Sequence, residues 1–142
     1  MSKERFCPEC GACIDDEIYS ADKMRAAFFA NLHDTWASLP DHMRQRFPSS
    51  EVLRKHALCE IGHCDVLRVA CGSKTAAIEV AAAFRFKDRY CITRINGNVV
   101  DVITARSMAR RALKKPQFRD VAEQVNAWIA QQTGADPRKA AA

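Results

Sequence analysis

Cys7-Pro8-Glu9-Cys10-Gly11, followed by Cys13, are the first side chains in this sequence whose type and spacing could do chemistry. Two thiolates with two residues between them reach one metal ion. A glycine after the second lets backbone N–H groups turn toward sulfur, as in one knuckle of a zinc ribbon. Cys7, Cys10 and Cys13 are the expected ligands of a structural Zn2+. Zinc prefers four ligands, and the sequence has no second C-x-x-C. The fourth would come from His33, from the Cys59, His63, Cys64 group, or from a second chain. The competing reading is three free thiols on a solvated head. Seven cysteines form an odd set, which argues against a disulfide framework. Cys71 and Cys91 fit as small apolar residues.

Cys59-Glu60-Ile61-Gly62-His63-Cys64 offers either a metal group or a Cys–His nucleophile pair. Cys59 falls on the apolar stripe of a helix, so packing accounts for it, and no orienting group or oxyanion signature accompanies His63. No H-E-x-x-H, G-x-S-x-G, P-loop or dinucleotide fingerprint occurs. No catalytic residue is expected, and the chain does not read as an enzyme.

The second chemical feature is charge. The formal net charge is +5, but residues 84–119 hold ten basic and two acidic side chains, while residues 1–22 hold two basic and six acidic. The expected anion-binding set is Arg85, Lys87, Arg89 and Arg94 around a hairpin, then Arg106, Arg110, Arg111, Lys114 and Lys115 after it. On a helix, Arg106, Arg110 and Lys114 share a face, with Arg111 and Lys115 in the adjoining row. Like charges at that spacing repel by a few tenths of a kcal/mol per pair, roughly, and an anionic partner removes the repulsion. Lys and Arg donors suit phosphates, and counterion release supplies affinity. Tyr90 beside Arg89 offers a stacking surface for an unpaired base. Nucleic acid, single-stranded DNA in particular, is the expected partner. An acidic protein is the second, and a solvated face paired with Asp15, Asp16 and Glu17 of the chain's own head is the plain alternative.

The elements that must position these groups follow from periodicity. Phe28, Phe29, Leu32, Trp36 and Leu39 form one helical stripe that ends at Pro40, and a short helical turn runs from Asp41 through Phe47. Pro48-Ser49-Ser50-Glu51 starts a helix with Val52, Leu53, Ala57, Leu58 and Ile61 on its stripe, stopped by Gly62. Val66, Leu67 and Val69 read as a strand. Gly72-Ser73 opens a helix from Lys74 to about Phe84. Asn96-Gly97-Asn98 between two β-branched runs predicts a hairpin. A helix carrying Met108, Ala109, Ala112 and Leu113 is expected next, and a last helix from near Pro116 to Gly134. The class is α+β, mostly helical with a small antiparallel sheet, in the order ααβαββαα. Residues 1–19 make a Cys-rich head, 20–134 the α+β domain and 135–142 a frayed tail. No apolar run approaches the roughly 20 residues a membrane span needs, and the first residues lack a secretory apolar stretch. A cytoplasmic protein without a membrane partner is expected.

Arg25-Ala26-Ala27-Phe28-Phe29-Ala30-Asn31-Leu32-His33-Asp34-Thr35-Trp36, then Leu39-Pro40, Phe47-Pro48, Leu53-Arg54-Lys55 and Ile61-Gly62-His63, resemble the helical part of uncharacterised phage and prophage proteins. Arg106-Ser107-Met108 and Gln117-Phe118 resemble the end of the same pattern, so the likeness covers residues 24–133. In that family a β segment precedes the first helix, where this sequence has its Cys-rich head. Some members look like distant kin of the lambda Orf (NinB) recombination mediators, which bind single-stranded DNA as dimers. The resemblance implies an accessory role in DNA recombination or replication, with a homodimer, and supplies no catalytic residue. A phage-type inhibitor of a host nucleic-acid-handling complex is the alternative that composition leaves open.

Overall fold

The computed structural model describes residues 5–6, 13–14, 16–109 and 111–139. A short antiparallel pair, β1 (Arg5–Phe6) and β2 (Cys13–Ile14), precedes the body. Three helices follow: α1 (Asp16–Ala37), α2 (Asp41–Arg46) and α3 (Ser50–Glu60). Then come β3 (Cys64–Ala70), α4 (Lys74–Lys87), the hairpin β4 (Ile92–Asn96) and β5 (Val99–Ala105), and α5 (Lys115–Thr133). The sheet of the body is antiparallel throughout, in the order β3-β5-β4. The expected α+β class, mostly helical with a small antiparallel sheet, is what the chain forms.

The local signals act through backbone hydrogen bonds. Ser49 caps α3 by accepting from the Val52 N–H at 3.1 Å, and Ser73 caps α4 by accepting from the Ala76 N–H at 3.1 Å. The hairpin turns on Gly97-Asn98. Gly97 has φ +61° and, among the described residues, no non-glycine has positive φ, which matches a type II′ turn with glycine first. Asn98 also closes the far end of β3: its side-chain amide donates to the Cys71 carbonyl, and the Cys71 N–H donates to the Asn98 carbonyl, both at 2.8 Å.

Strand alternation divides the apolar residues of β5 between two cores. Val100 and Val102 face α4, where fully buried Ala77 and Ala81 let helix and sheet approach closely. Ala105, on the opposite parity, packs against the larger core. That core joins Phe28, Leu32 and Leu39 of the α1 region, Leu53, Ala57 and Leu58 of α3, and Phe118, Val125 and Ile129 of α5. Trp36 and Trp128 are partly buried and pack against it, and the Trp36 indole N–H donates to the Phe47 carbonyl at 2.7 Å.

One expected element is absent. The described residues between β5 and α5 form no helix, so Arg106, Lys114 and their neighbours do not share a helical face. The first donors of this segment turn elsewhere, while the Ala112 and Leu113 N–H groups both donate to the Ala109 carbonyl and close a single turn. The Arg106 N–H donates to the His63 carbonyl at 3.1 Å, and Ser107 Oγ takes the Ala109 N–H at 3.0 Å. Met108 and Leu113 are buried all the same, pinned as plugs in the larger core. α1 begins at Asp16, ahead of the expected domain start at residue 20, and α4 runs on to Lys87. Among the described residues, no helix is long and apolar enough to cross a membrane.

Candidate nucleic-acid interface

Two structures built from basic residues stand out. The first is a cleft of about 400 Å³ between α1, α3 and the end of β5. Its walls include Arg25 and Phe29 from α1, Arg54 and Lys55 from α3, and Ala105 through Ala109. Among the described residues four cations line it (Arg25, Arg54, Lys55 and Arg106) and no carboxylate does. The carboxylates stand behind them. Glu51 binds Arg54 and lies 3.8 Å from Lys55, Asp22 lies 3.8 Å from Arg25, and Asp65 lies 2.9 Å from Arg106. Burial alone would raise the Glu51 carboxyl, but the Arg54 hydrogen bond and charge, with Lys55, outweigh it and hold the group below the usual carboxylate range.

Arg25 is the unusual member. It is only 8% exposed, and its guanidinium lies 4.9 Å from the Phe118 ring centroid. Its Nη2 donates to the Leu113 carbonyl, 88 residues away in sequence. Its Nε and Nη1 have no hydrogen-bond acceptor. Both atoms are sealed from solvent, and Nη1 lies 3.8 Å from the Asp22 carboxylate, so neither is open to a ligand in the cleft as it stands.

The second structure is the C-terminal tip of α4. Arg85, Phe86 and Lys87 are all exposed, and Phe86 is 95% exposed. Beyond the tip, Arg89 donates to the Tyr90 hydroxyl at 2.7 Å, with its guanidinium 4.8 Å from the ring centroid. Lys55 Nζ sits 4.1 Å from the same ring, so Tyr90 links the tip region to the cleft wall. Tyr90 is half-buried and already engaged by two cations, which makes it a poorer stacking platform than Phe86.

The expected anion-binding residues are therefore distributed over distinct settings. Arg106 lines the cleft. Arg85 is turned onto the Thr93 hydroxyl, and Arg94 onto Glu60 at 2.8 Å. In the sheet, Arg94 and Arg68 flank Asp101 from the two neighbouring strands. The Arg68 hydrogen bond holds the Asp101 carboxyl below its usual range. Lys87, Arg111 and Lys114 are exposed, as is Arg119, and Lys115 is half-buried. Arg110 lies outside the described residues. Sequence reasoning missed Arg25, Arg54, Lys55, Phe29 and Phe86. Only Phe86 had a local signal, an aromatic residue between two cations at a helix end.

Of the expected metal ligands, Cys7 and Cys10 lie outside the described residues. The backbone of Cys13 is in β2, opposite Phe6. Among the described residues, no group of three or more His, Cys, Asp or Glu is placed to hold a metal ion. Cys59 is buried with its thiol on the Ile103 carbonyl, and burial, with Cys64 nearby, pushes its pKa up to about 11. It is a packed, protonated thiol, not a nucleophile. Comparison of the chain with protein-family models, with curated proteins and with solved structures finds no match.

Proposed function

We propose that this protein binds single-stranded nucleic acid, DNA in particular, as an accessory factor of recombination or replication. The observation that carries the reading is Phe86, an aromatic ring 95% exposed at a helix end and bracketed by Arg85 and Lys87. A single exposed ring needs no partner of its own, but bases stack on such rings while adjacent cations take the phosphates. Exposed Arg89, Arg111, Lys114 and Arg119 add to the positive surface. The likeness of residues 24–133 to phage proteins points the same way.

Binding of labelled oligothymidylate, followed by fluorescence anisotropy across salt concentrations, tests the reading. Affinity falls steeply with salt, since each neutralised phosphate contributes a slope of about −0.7 on single strands. Phe86→Ala weakens binding about tenfold or more, because stacking on one ring is worth roughly 1–3 kcal/mol. No binding at low salt, or no effect of Phe86→Ala together with Lys87→Glu, would refute it.

A second reading, a protein-interaction module such as an inhibitor of a host nucleic-acid-handling complex, is favoured by one observation. Val66 and Leu67 of β3 and Ile78 of α4 are at least half exposed. Capture of a host protein that survives nuclease treatment and is lost in Leu67→Asp would select it. A structural Zn2+ on Cys7, Cys10 and Cys13 belongs to either reading. It predicts close to one equivalent of zinc per chain in the purified protein, reduced in Cys10→Ser.

A further inference from the structure

α4 carries few charges for a helix at the surface. Residues 75–84 run Thr-Ala-Ala-Ile-Glu-Val-Ala-Ala-Ala-Phe, and Glu79 is the one charged side chain among them. A helix that is apolar all round is ordinarily buried all round. The sheet covers one side of α4, where Ala77 and Ala81 are fully buried and Val80 and Phe84 pack beside them. On the other side Thr75, Ile78, Ala82 and Phe86 are exposed, Ile78 by 50%. Ile78, Ala82 and Phe86 stand four residues apart and form one ridge along the helix. Two opposite charges flank it. Glu79 has no ion-pair partner among the described residues, and Arg85 uses one of its N–H donors on the Thr93 hydroxyl.

This ridge is complementary to itself. Ile78 stands four residues before Ala82 and Phe86 four after, while Glu79 stands three before and Arg85 three after. A second copy laid antiparallel, with a two-fold axis at Ala82, sets each Ile78 beside the other copy's Phe86. It sets each Glu79 level with the other copy's Arg85, and these long side chains can meet across the crossing. The small Ala82 side chains let the two helix axes approach to about 8 Å. Every contact then occurs twice, as in any isologous interface. A foreign surface has no reason to match such a pattern, whereas a second copy matches it by construction. We propose that α4 is a self-association surface, on which a second copy of this chain packs about Ala82 and covers Phe86. The ring is thereby withdrawn from nucleic acid, so self-association and strand binding exclude one another. The competition rests on the strand-binding reading of Phe86, but the pairing does not. About three turns of one helix bury well under the area of a standard interface, so the pair is weak and reversible. A strand that binds only the single copy draws the pair apart by mass action.

Sedimentation equilibrium of the full chain up to about 1 mM, with a reductant present so that no thiols link two chains, tests the pairing. A dimer is expected to build up as concentration rises. Ala82→Gln puts two long side chains at the crossing and removes the dimer, while thermal unfolding at low concentration stays unchanged. Glu79→Arg weakens pairing about fivefold, the scale of exposed ion pairs made twice. Glu79→Arg combined with Arg85→Glu restores it, which a merely disruptive change would not do. A short oligothymidylate added to the paired protein yields single copies carrying the strand. A chain that stays single at the highest concentration overturns the surface, and oligothymidylate binding by that chain leaves the proposed function standing. A dimer indifferent to Ala82→Gln and to the charge exchange forms elsewhere and overturns it as well. A host protein captured by the single chain and lost in Ala82→Gln assigns the face to a foreign partner and overturns the second copy. A strand that binds without parting the dimer overturns the competition. Pairing through α4 with no strand binding at low salt keeps the surface and removes the proposed function.

Discussion

Phe118 and Phe86 are both phenylalanines beside basic residues, and the fold treats them in opposite ways. Phe118 is fully buried, edge-on to Phe28 at 5.5 Å and beneath the guanidinium of Arg25. Phe86 stands in solvent at the end of α4 between Arg85 and Lys87. In the cleft Arg25 and Arg54 are held in the core, while Arg106 at its rim is exposed. At the tip, exposed long side chains and a bare ring have no such support, and any ligand would have to order them. A fixed site gains selectivity for shape, and an unfixed one gains tolerance of sequence, because less ordering entropy is lost in the first and any base can stack in the second.

The largest expected effect separates the two rings by stability. Phe118→Ala costs about 3–5 kcal/mol in urea denaturation, the usual loss for emptying a buried aromatic site. If Phe118→Ala proves as mild as a surface change, the cleft floor is not rigid and the contrast fails. Next come the two caps. Ser49→Ala and Ser73→Ala each cost about 1 kcal/mol. They sharpen the comparison because Ser49 starts the helix that carries Arg54 and Lys55, and Ser73 the helix that carries the tip. Hydrogen exchange is expected to quicken around α3 in the first variant and around α4 in the second.

A smaller effect is pH-dependent and belongs to the cleft side. His56, one residue after Lys55, lies edge-on to Phe47 at 5.4 Å and near Trp128 at 5.5 Å. Burial, with Arg46 and Arg94 nearby, lowers its pKa from the ordinary 6.5 despite Glu60. A histidine whose folded pKa is depressed contributes stability above 6.5 that is lost as pH falls through the folded value. Thermal stability therefore falls on acidification below pH 6.5, and His56→Gln flattens that part of the profile. Glu51 and Asp101, also lowered, add the same sign at more acid pH. The smallest effect is Phe86→Ala on stability, within about 0.5 kcal/mol, as for a surface substitution with no buried contacts.

Much of the scaffold was legible because its signals are local. The stripes of α1, α3 and α5 repeat at helical spacing, Ser49 and Ser73 announce helix starts, and the Asn96-Gly97-Asn98 turn between β-branched runs announces the hairpin. The segment from Arg106 to Lys114 misled for the same reason. Its residues have good helical propensity, but His63, 43 positions upstream, takes the Arg106 N–H and Ser107 Oγ the Ala109 N–H, so the described residues close only a single turn on the Ala109 carbonyl. The cleft was hidden because its parts are far apart in sequence. Arg25 looks like any surface arginine until Leu113 is folded against it. Counting charge along the chain favours dense runs, so it found the tip and the connection while missing isolated cations that the core gathers.

The outer edge of β3 has no strand beside it among the described residues. Its alternate amides and carbonyls look outward over seven residues that include exposed Val66 and Leu67. Such an edge is a template on which further chains can add, and charged side chains are the usual deterrent. Asp65 and Arg68 supply them here, each anchored by a neighbour, Arg106 and Asp101. Neutralising both would leave a flat apolar ribbon, and the first sign of its loss would be turbidity at high protein concentration rather than a lower melting temperature.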